Sequence, residues 1–235
     1  MNIKIKFHFT RYFILFIVVI FVMNGIVENI LIKRKINNFT KSATLVSYDV
    51  ENGIKYYCVS RETSYSSLNV IDGKTYIGSE GDILVRQASP YPEIPVFHQL
   101  VSFFIGGHAA YVVNGKETIE INGKTKDNSV HYYNNDWFSK KECIGVRLKN
   151  KEIISDVTKN IESKIGEKYN YTFVIDNGYY CTDLMSKSVY EVSKKDNIND
   201  IMVTTVNDII TSSNVEICYY HYTDPSGIKH VYYIN

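Results

Sequence analysis

The order of secondary structure along the chain predicts an α+β fold, in which an antiparallel sheet packs against helices. Apolar residues alternate with a period of two in short segments between residues 81 and 148. Helical spacing replaces this alternation between residues 153 and 192, and the alternation returns after residue 215. Strands and helices segregated in this way are typical of an α+β domain.

Composition limits the classes of protein that the chain can belong to. Its 235 residues are 45% hydrophobic, enough for one well-cored domain, and a formal net charge of +1 gives no field that would favour nucleic acid. The 20 tyrosines suit aromatic-rich strands. The four cysteines lack the paired spacing of a zinc site. We therefore expect no nucleic-acid partner, no metal and no cofactor.

Residues 1–35 are predicted to be a signal-anchor that crosses a membrane once. A basic start precedes an uncharged run over residues 12–23, and apolar residues continue to Ile32. Such a segment can span about 30 Å of hydrocarbon as a helix. No small-x-small cleavage site follows, so retention is favoured, and the alternative is a secreted protein released by signal cleavage. Basic residues flank both sides and leave orientation open. We expect this segment to be dispensable for chemistry.

Residues 36–80 are predicted to be a linker and N-terminal extension, with short strand-like segments and a hairpin that turns at Asp72-Gly73. The catalytic domain is predicted over residues 81–235. Two Asn-Gly pairs, at residues 114–115 and 122–123, indicate a strand meander. Gly166 is placed to end the first helix of the domain. The predicted core elements are strands 81–85, 108–113 and 143–148, helices 153–165 and 181–192, and a terminal hairpin of residues 215–222 and 231–234.

Cys181 and His108 are the candidate catalytic pair. Cys181 lies where a helix is predicted to begin, and the unpaired N–H groups and helix dipole at that point favour a thiolate. The same N–H groups can stabilise an oxyanion. His108 follows Gly106-Gly107 and precedes two alanines, which leaves room for a ligand. A thiol beside an imidazole is the minimum for a cysteine nucleophile, whereas a buried structural cysteine is the plainer alternative.

The third catalytic group depends on the register of one hairpin. If residues 113–115 form a three-residue loop whose glycine is left-handed, His108 lies directly opposite Glu120. If residues 114–115 form a two-residue turn, Glu120 points to the other face of the sheet. Glu120 is therefore the first candidate and Asn122 the second.

Five short motifs follow one another along the chain: Gly81-Asp82-Ile83-Leu84, Gly107-His108-Ala109-Ala110, Thr118-Ile119-Glu120-Ile121, Gly166-x-x-Tyr169-x-x-x-Phe173 and Tyr180-Cys181-Thr182-Asp183-Leu184. In this order they resemble the circularly permuted papain-like cysteine hydrolases, the YiiX/YebB-like branch of the NlpC-type superfamily. The similarity covers roughly residues 81–222. The family usually has Cys-Ser-Glu where this chain has Cys181-Thr182-Asp183, a departure that leaves the nucleophile unchanged.

The resemblance implies a permuted papain-like fold and a papain-type triad. Cys181 would attack an acyl carbon, His108 would act as base and then acid, and Glu120 would orient the imidazole. The Cys181 N–H would stabilise the oxyanion, with Tyr180 and Asp82 as further oxyanion or substrate-binding residues.

The activity implied by the resemblance is hydrolysis of amide bonds, in cell-wall or other short peptides, by a bacterial protein whose catalytic domain lies outside the cytoplasm. Relatives act on lipid esters or transfer acyl groups, so a lipid acyl hydrolase or acyltransferase is the second hypothesis. A non-catalytic module that binds peptide or lipid is the third. We expect the loop of residues 88–99 to decide between substrates.

Overall fold

A computed structural model describes residues 3–88, 95–123, 128–172, 178–199 and 203–235, and for residues 3–11, 95, 97 and 98 it describes the backbone alone. The helices within these ranges are α1 (Ile3–Thr40), α2 (Pro95–Phe104), α3 (Ile154–Glu162), α4 (Cys181–Val192) and α5 (Val206–Thr211). The strands are β1 (Ala43–Asp49), β2 (Ile54–Val59), β3 (Leu68–Ile71), β4 (Lys74–Ile77), β5 (Asp82–Arg86), β6 (His108–Asn114), β7 (Glu117–Ile121), β8 (Val130–Asn134), β9 (Glu142–Leu148), β10 (Val215–Thr223) and β11 (Lys229–Tyr233).

Nine of these strands form one open sheet in the order β1-β2-β11-β10-β9-β5-β6-β7-β8, and β3 and β4 form a separate hairpin. Neighbouring strands of the large sheet run antiparallel, except that β11 pairs with β2 in parallel. Helices α3, α4 and α5 pack beside it, and the buried core lies between these layers. The predicted α+β class is therefore confirmed.

The core strands and helices form where the spacing of apolar residues along the sequence predicts them. In β5, Ile83, Leu84 and Val85 are fully buried, because this strand lies in the middle of the sheet. Helix α3 buries its apolar face and ends earlier than the spacing predicts, so that Ile165 is exposed. Gly166 has a φ of +89°, the left-handed conformation that suits glycine after a helix.

The region predicted as a linker is instead part of the fold. Strand β2 pairs with β11, and β1 pairs with β2 and forms one edge of the nine-stranded sheet. The β3–β4 hairpin does turn at Asp72-Gly73, where both residues have a positive φ. The sequence could not reveal the parallel β2–β11 contact, since the two strands are separated by most of the chain.

The register of the β6–β7 hairpin differs from both predicted alternatives. Tyr111 pairs with Ile119, and a bulge at residue 113 shifts the ladder before the turn. Asn114 Oδ1 accepts hydrogen bonds from the backbone N–H groups of residues 116 and 117, at 2.9 and 3.0 Å, and this side chain closes the turn in place of a left-handed Gly115. If the same register continues, Glu120 lies opposite Ala110, which is two residues after His108 on β6. Side chains two residues apart on a strand share a face, so Glu120 and His108 lie on the same face of the sheet.

Helix α1 has two unlike halves. Large apolar side chains of residues 12–23 are exposed, whereas Ile32 and Phe39 of the second half belong to the buried core. The Lys35 Nζ donates hydrogen bonds to the carbonyl oxygens of Ile210 and Ser212, at 2.8 and 2.6 Å. By length and composition alone, α1 is a candidate membrane anchor or signal sequence. Its second half is also an element of the folded domain, and in this respect the predicted boundary at residue 35 is wrong.

We therefore expect truncations of α1 to separate tethering from folding. A chain that begins at Met23 should unfold cooperatively, because it keeps the packed half of the helix. A chain that begins at Ile36 loses Ile32, and deletion of one such buried side chain costs about 2–5 kcal/mol. Thermal unfolding followed by the fluorescence of Trp137, the single tryptophan, measures the difference. Equal stability of the two truncated chains would contradict the packing role of α1.

Candidate active site

Cys181 is the first residue of α4. The preceding Tyr180 is extended, with φ −110° and ψ 171°, and its side chain does not cap the helix. A contact with another segment positions the helix start instead: the Thr182 hydroxyl donates a 2.6 Å hydrogen bond to the Thr204 carbonyl, in the segment before α5. The first-turn N–H groups and the positive end of a 12-residue helix therefore lie around the thiol.

His108 is the first residue of β6, and two glycines bring the chain to it. Gly106 has a φ of +78°, a conformation that side-chain-bearing residues rarely adopt. A Cβ atom on Gly107 would lie 1.8 Å from the Ala88 carbonyl oxygen, so only glycine fits there. The Gly107 N–H donates to the Arg86 carbonyl at 3.0 Å, which holds the start of β6 against β5.

Glu120 is the hydrogen-bond partner of His108. The His108 Nε2 lies 2.7 Å from Glu120 Oε2. The other carboxylate oxygen, Oε1, accepts hydrogen bonds from Trp137 Nε1 and from the Thr118 hydroxyl, each at 2.8 Å. The Trp137 ring also stacks on the imidazole, with centroids 5.8 Å apart and planes 11° from parallel. The carboxylate and the imidazole are therefore both held in one orientation.

Trp137 and Thr118 are functional candidates that sequence reasoning missed. Trp137 lies in a 3₁₀ turn outside every predicted element, and no local pattern connects it to His108. Thr118 precedes Glu120 by two residues on β7, so strand alternation alone puts both side chains on one face. The second-choice residue Asn122 is not the partner of His108 Nε2 in the structure, where that position is taken by Glu120.

The electrostatics of the site favour a thiolate paired with an imidazolium. Burial opposes the charged imidazole, but hydrogen bonds and charge interactions with Cys181 and Glu120 outweigh it and raise the pKa of His108 to about 10. Burial likewise opposes the thiolate, yet the hydrogen bond and charge of His108, with the N–H groups of Ala109 and Thr182, lower the pKa of Cys181. Since Nε2 faces Glu120, Nδ1 is the ring nitrogen left for the thiol.

Glu120 is held ionised by the same network. Burial opposes its charge, but hydrogen bonds from His108, Trp137 and Thr118 outweigh that effect and lower the pKa of the carboxyl. A negative carboxylate behind the imidazole stabilises the imidazolium and fixes the direction of its N–H bond.

The Asp82 carboxylate and the Tyr180 hydroxyl form hydrogen bonds with groups outside the network of Cys181, His108 and Glu120. Asp82 is fully buried, and its carboxylate accepts a 2.7 Å hydrogen bond from Arg147 across the β5–β9 pair. The Tyr180 hydroxyl accepts a 3.0 Å hydrogen bond from the Thr204 N–H, which ties the start of α4 to the segment before α5. Both residues therefore have structural roles, and their assignment to oxyanion or substrate binding stays a prediction.

The other three cysteines lie outside the network. All four thiols are free. Burial raises the pKa of both Cys143 and Cys218 well above the ordinary value. Among the described residues, no group of three or more His, Cys, Asp or Glu side chains is placed to hold a metal ion. Phe173 of the fourth motif and half of the predicted substrate loop, residues 89–94, lie outside the described residues.

We expect Cys181 to be the most reactive of the four thiols. Its pKa is lowered while those of Cys143 and Cys218 are raised, so limiting iodoacetamide at about pH 6 should label Cys181 first. Peptide mass spectrometry identifies the labelled residue. The variant His108→Ala should lose this preference, because the thiolate loses its counterion. Preferential labelling of Cys58, Cys143 or Cys218 in the parent chain would contradict the assignment.

Comparison of the chain with protein-family models, with curated proteins and with solved structures gives no significant match. The family resemblance therefore stays a prediction carried by the five motifs. Fold and site define a chemical arrangement: a helix-start thiol, an imidazole on the first residue of a central strand, and a carboxylate behind it.

Proposed function

We propose that the protein is a cysteine hydrolase that cleaves amide bonds through Cys181, His108 and Glu120. The observation that carries the proposal is the Glu120–His108 hydrogen bond of 2.7 Å beside a thiol whose pKa is lowered by the same imidazole. A buried structural cysteine gains nothing from such an arrangement. A lowered thiol pKa beside a raised imidazole pKa favours the charged form of both groups, and such a pair is typical of nucleophilic catalysis.

The reaction follows from the positions of these groups. The Cys181 thiolate attacks the acyl carbon, and the carbonyl electrons move to its oxygen, which the N–H groups at the start of α4 stabilise. The C–N bond then breaks, and His108 donates its proton to the leaving amine. In the second half, His108 accepts a proton from water as the water attacks the thioester. The C–S bond breaks, and the acid product and thiolate are released.

The substrate class favoured by the resemblance is a short peptide, such as one from the cell wall. A lipid acyl ester or amide is the second candidate, and one observation favours it. Leu100, at the middle of α2, has 52% of its surface exposed, and this helix leads directly into the His108 strand. Parallel assays on peptidoglycan peptides and on phospholipid vesicles, each with Cys181→Ala as the blank, separate the two substrates.

We further propose that α1 is retained as a single membrane span, with the catalytic domain on the extracytoplasmic side. The exposed apolar residues of its first half support the span. The extracytoplasmic side rests on the signal-like pattern of the sequence. Protease protection of the full chain in oriented membrane vesicles tests the side, and recovery without α1 from the culture medium would favour cleavage.

We expect Glu120→Gln to move the alkaline limb of the pH–rate profile to lower pH. The pKa of His108 is raised partly by the charge of Glu120, so the imidazolium survives up to about pH 10 in the parent chain. Removing one adjacent charge should lower that limit by about one pH unit or more. Rates of acyl-enzyme formation measured between neutral and alkaline pH show the shift.

The matched control is Glu117→Gln, an exposed glutamate on the same strand. It should leave the profile unchanged. An unchanged alkaline limb in Glu120→Gln, or a greater loss of rate in Asn122→Ala than in Glu120→Gln, would remove Glu120 from the triad.

A further inference from the structure

The depth of α1 in a bilayer can be read from its own side chains. Large apolar residues stay exposed as far as Leu31, and Lys33-Arg34 follow with both side chains exposed. The 20 residues 12–31 rise about 1.5 Å each and span about 30 Å, the thickness of the hydrocarbon core. Leu31 therefore marks the hydrocarbon boundary on the side of the folded domain.

Helix α2 contacts α1 below that boundary. A Cβ atom on Gly25 would lie 2.6 Å from Phe103 and 2.9 Å from Phe104, so the two helices are in direct contact at this glycine. Four residues later, Asn29 Nδ2 donates a 3.0 Å hydrogen bond to the Phe103 carbonyl. From Gly25 to Leu31 the helix rises about 9 Å. The contact thus lies at a depth where α1 still faces hydrocarbon.

Polar groups of α1 at this depth face the domain. The Glu28 carboxylate is buried, and it accepts hydrogen bonds from Asn24 at 2.5 Å and from Asn207 of α5 at 3.1 Å. Asn29 also donates to the Gly25 carbonyl of its own helix. Charge and amide groups are therefore satisfied on the side of α2 and α5, and the opposite side of α1 is apolar, as Ile26 and Ile30 are exposed there.

Helix α2 exposes apolar side chains of its own. Val96 is 71% exposed and Leu100 52%, and the two lie four residues apart on one face of the helix. Ile105, just after the helix, is 53% exposed. An exposed apolar stripe on a helix that packs against a membrane-type helix is typical of a membrane contact.

We propose that the apolar face of α2 lies in the lipid bilayer, as a second membrane contact beside α1. The proposal rests on the proposed membrane span. An interfacial helix buries its apolar face about 5–10 Å into the boundary between headgroups and acyl chains, which matches the depth of the α1–α2 contact. Because Ile105 is followed within three residues by His108, the catalytic pair is held at the lipid surface, and the substrates that reach it are those presented there.

The test uses the full chain in vesicles of phosphatidylcholine and phosphatidylglycerol, with and without acyl-chain-brominated phosphatidylcholine. Bromine quenches only tryptophans that enter the acyl region. The reporters are Leu100→Trp and, as a second variant, Val96→Trp. The matched control is Val70→Trp, at a residue 72% exposed on β3. The emission of Trp137, which is 1% exposed in the core, is measured in the parent chain and subtracted.

We expect severalfold quenching of both α2 reporters by brominated lipid and none at residue 70. Equal quenching at all three positions, or no quenching in chains that float with the vesicles, would overturn the α2 contact and leave the span intact. Failure of the full chain to float with vesicles would overturn the span and, with it, the α2 contact. Hydrolysis does not enter the readout, so the triad stands or falls separately.

Discussion

Replacing Cys181 by alanine should abolish hydrolysis and leave the fold intact. The thiol is the only group of the network that can form the acyl-enzyme, and alanine preserves the start of α4 because the anchoring contacts come from Thr182 and Tyr180. Members of a catalytic triad act as a unit, so a loss on the order of 10⁴-fold or more in kcat is expected. Initial rates on the substrate that turns over in the parallel assays, together with circular dichroism, measure both halves of the prediction.

The non-additivity of the pair provides a sharper control. His108→Ala should cost nearly as much as Cys181→Ala, and the double variant should be no worse than either single variant. Cys58→Ala, at a free thiol outside the network, should retain the parent rate. Parent-level activity in Cys181→Ala with an unchanged circular dichroism spectrum would end the proposal of a cysteine hydrolase.

Asp82→Asn should cause the largest loss of stability of any single substitution considered for this chain. Asp82 is fully buried against Arg147, which is itself only 9% exposed and stacks on Tyr65 at 3.9 Å. The variant leaves the guanidinium buried without its counterion. Breaking a buried pair from one side costs about 3–5 kcal/mol. Urea unfolding of the detergent-solubilised full chain, followed by Trp137 fluorescence, measures the change.

The double variant Asp82→Asn with Arg147→Met tests the cause. Removing both charges should recover much of the lost stability, because replacing a buried ion pair with uncharged groups is often neutral. Asp72→Asn breaks the ion pair with Lys116, in which both side chains are exposed, and should not move the unfolding midpoint. If Asp82→Asn unfolds like the parent chain but loses activity, Asp82 belongs to the active site, as the motif resemblance implied.

Local patterns were enough for much of the fold and for two members of the site. The alternation that predicted β5 and β9, and the helical spacing that predicted α3 and α4, are set by which side chains must be buried within one element. Cys181 could be placed at a helix start, and His108 at a strand start, for the same reason. The turn at Asp72-Gly73 was also readable, since its residue types suit positive φ angles.

The remaining choices were made by contacts between residues far apart in the chain. Glu120 shares a face with His108 because a bulge shifts β6 against β7, and strand periodicity carries no sign of a bulge. Trp137 reaches Glu120 from a turn outside the predicted elements. Asp82 of β5 forms a buried ion pair with Arg147 of the neighbouring strand β9. The local motif, which suggested Asp82 for the active site, contains no sign of this partner.

By itself, the sequence determined the α+β class, the order of its central elements and an apolar first helix, because each depends on the burial of side chains within a short segment. Only the tertiary structure decided that α1 packs its second half into the domain and that β1 and β2 complete the sheet. It also decided that α2 lies against α1 beside the strand that begins at His108. The physical reason is that strand pairing, helix packing and hydrogen-bond partners depend on which distant surfaces meet, and a linear pattern of residue types does not specify that choice.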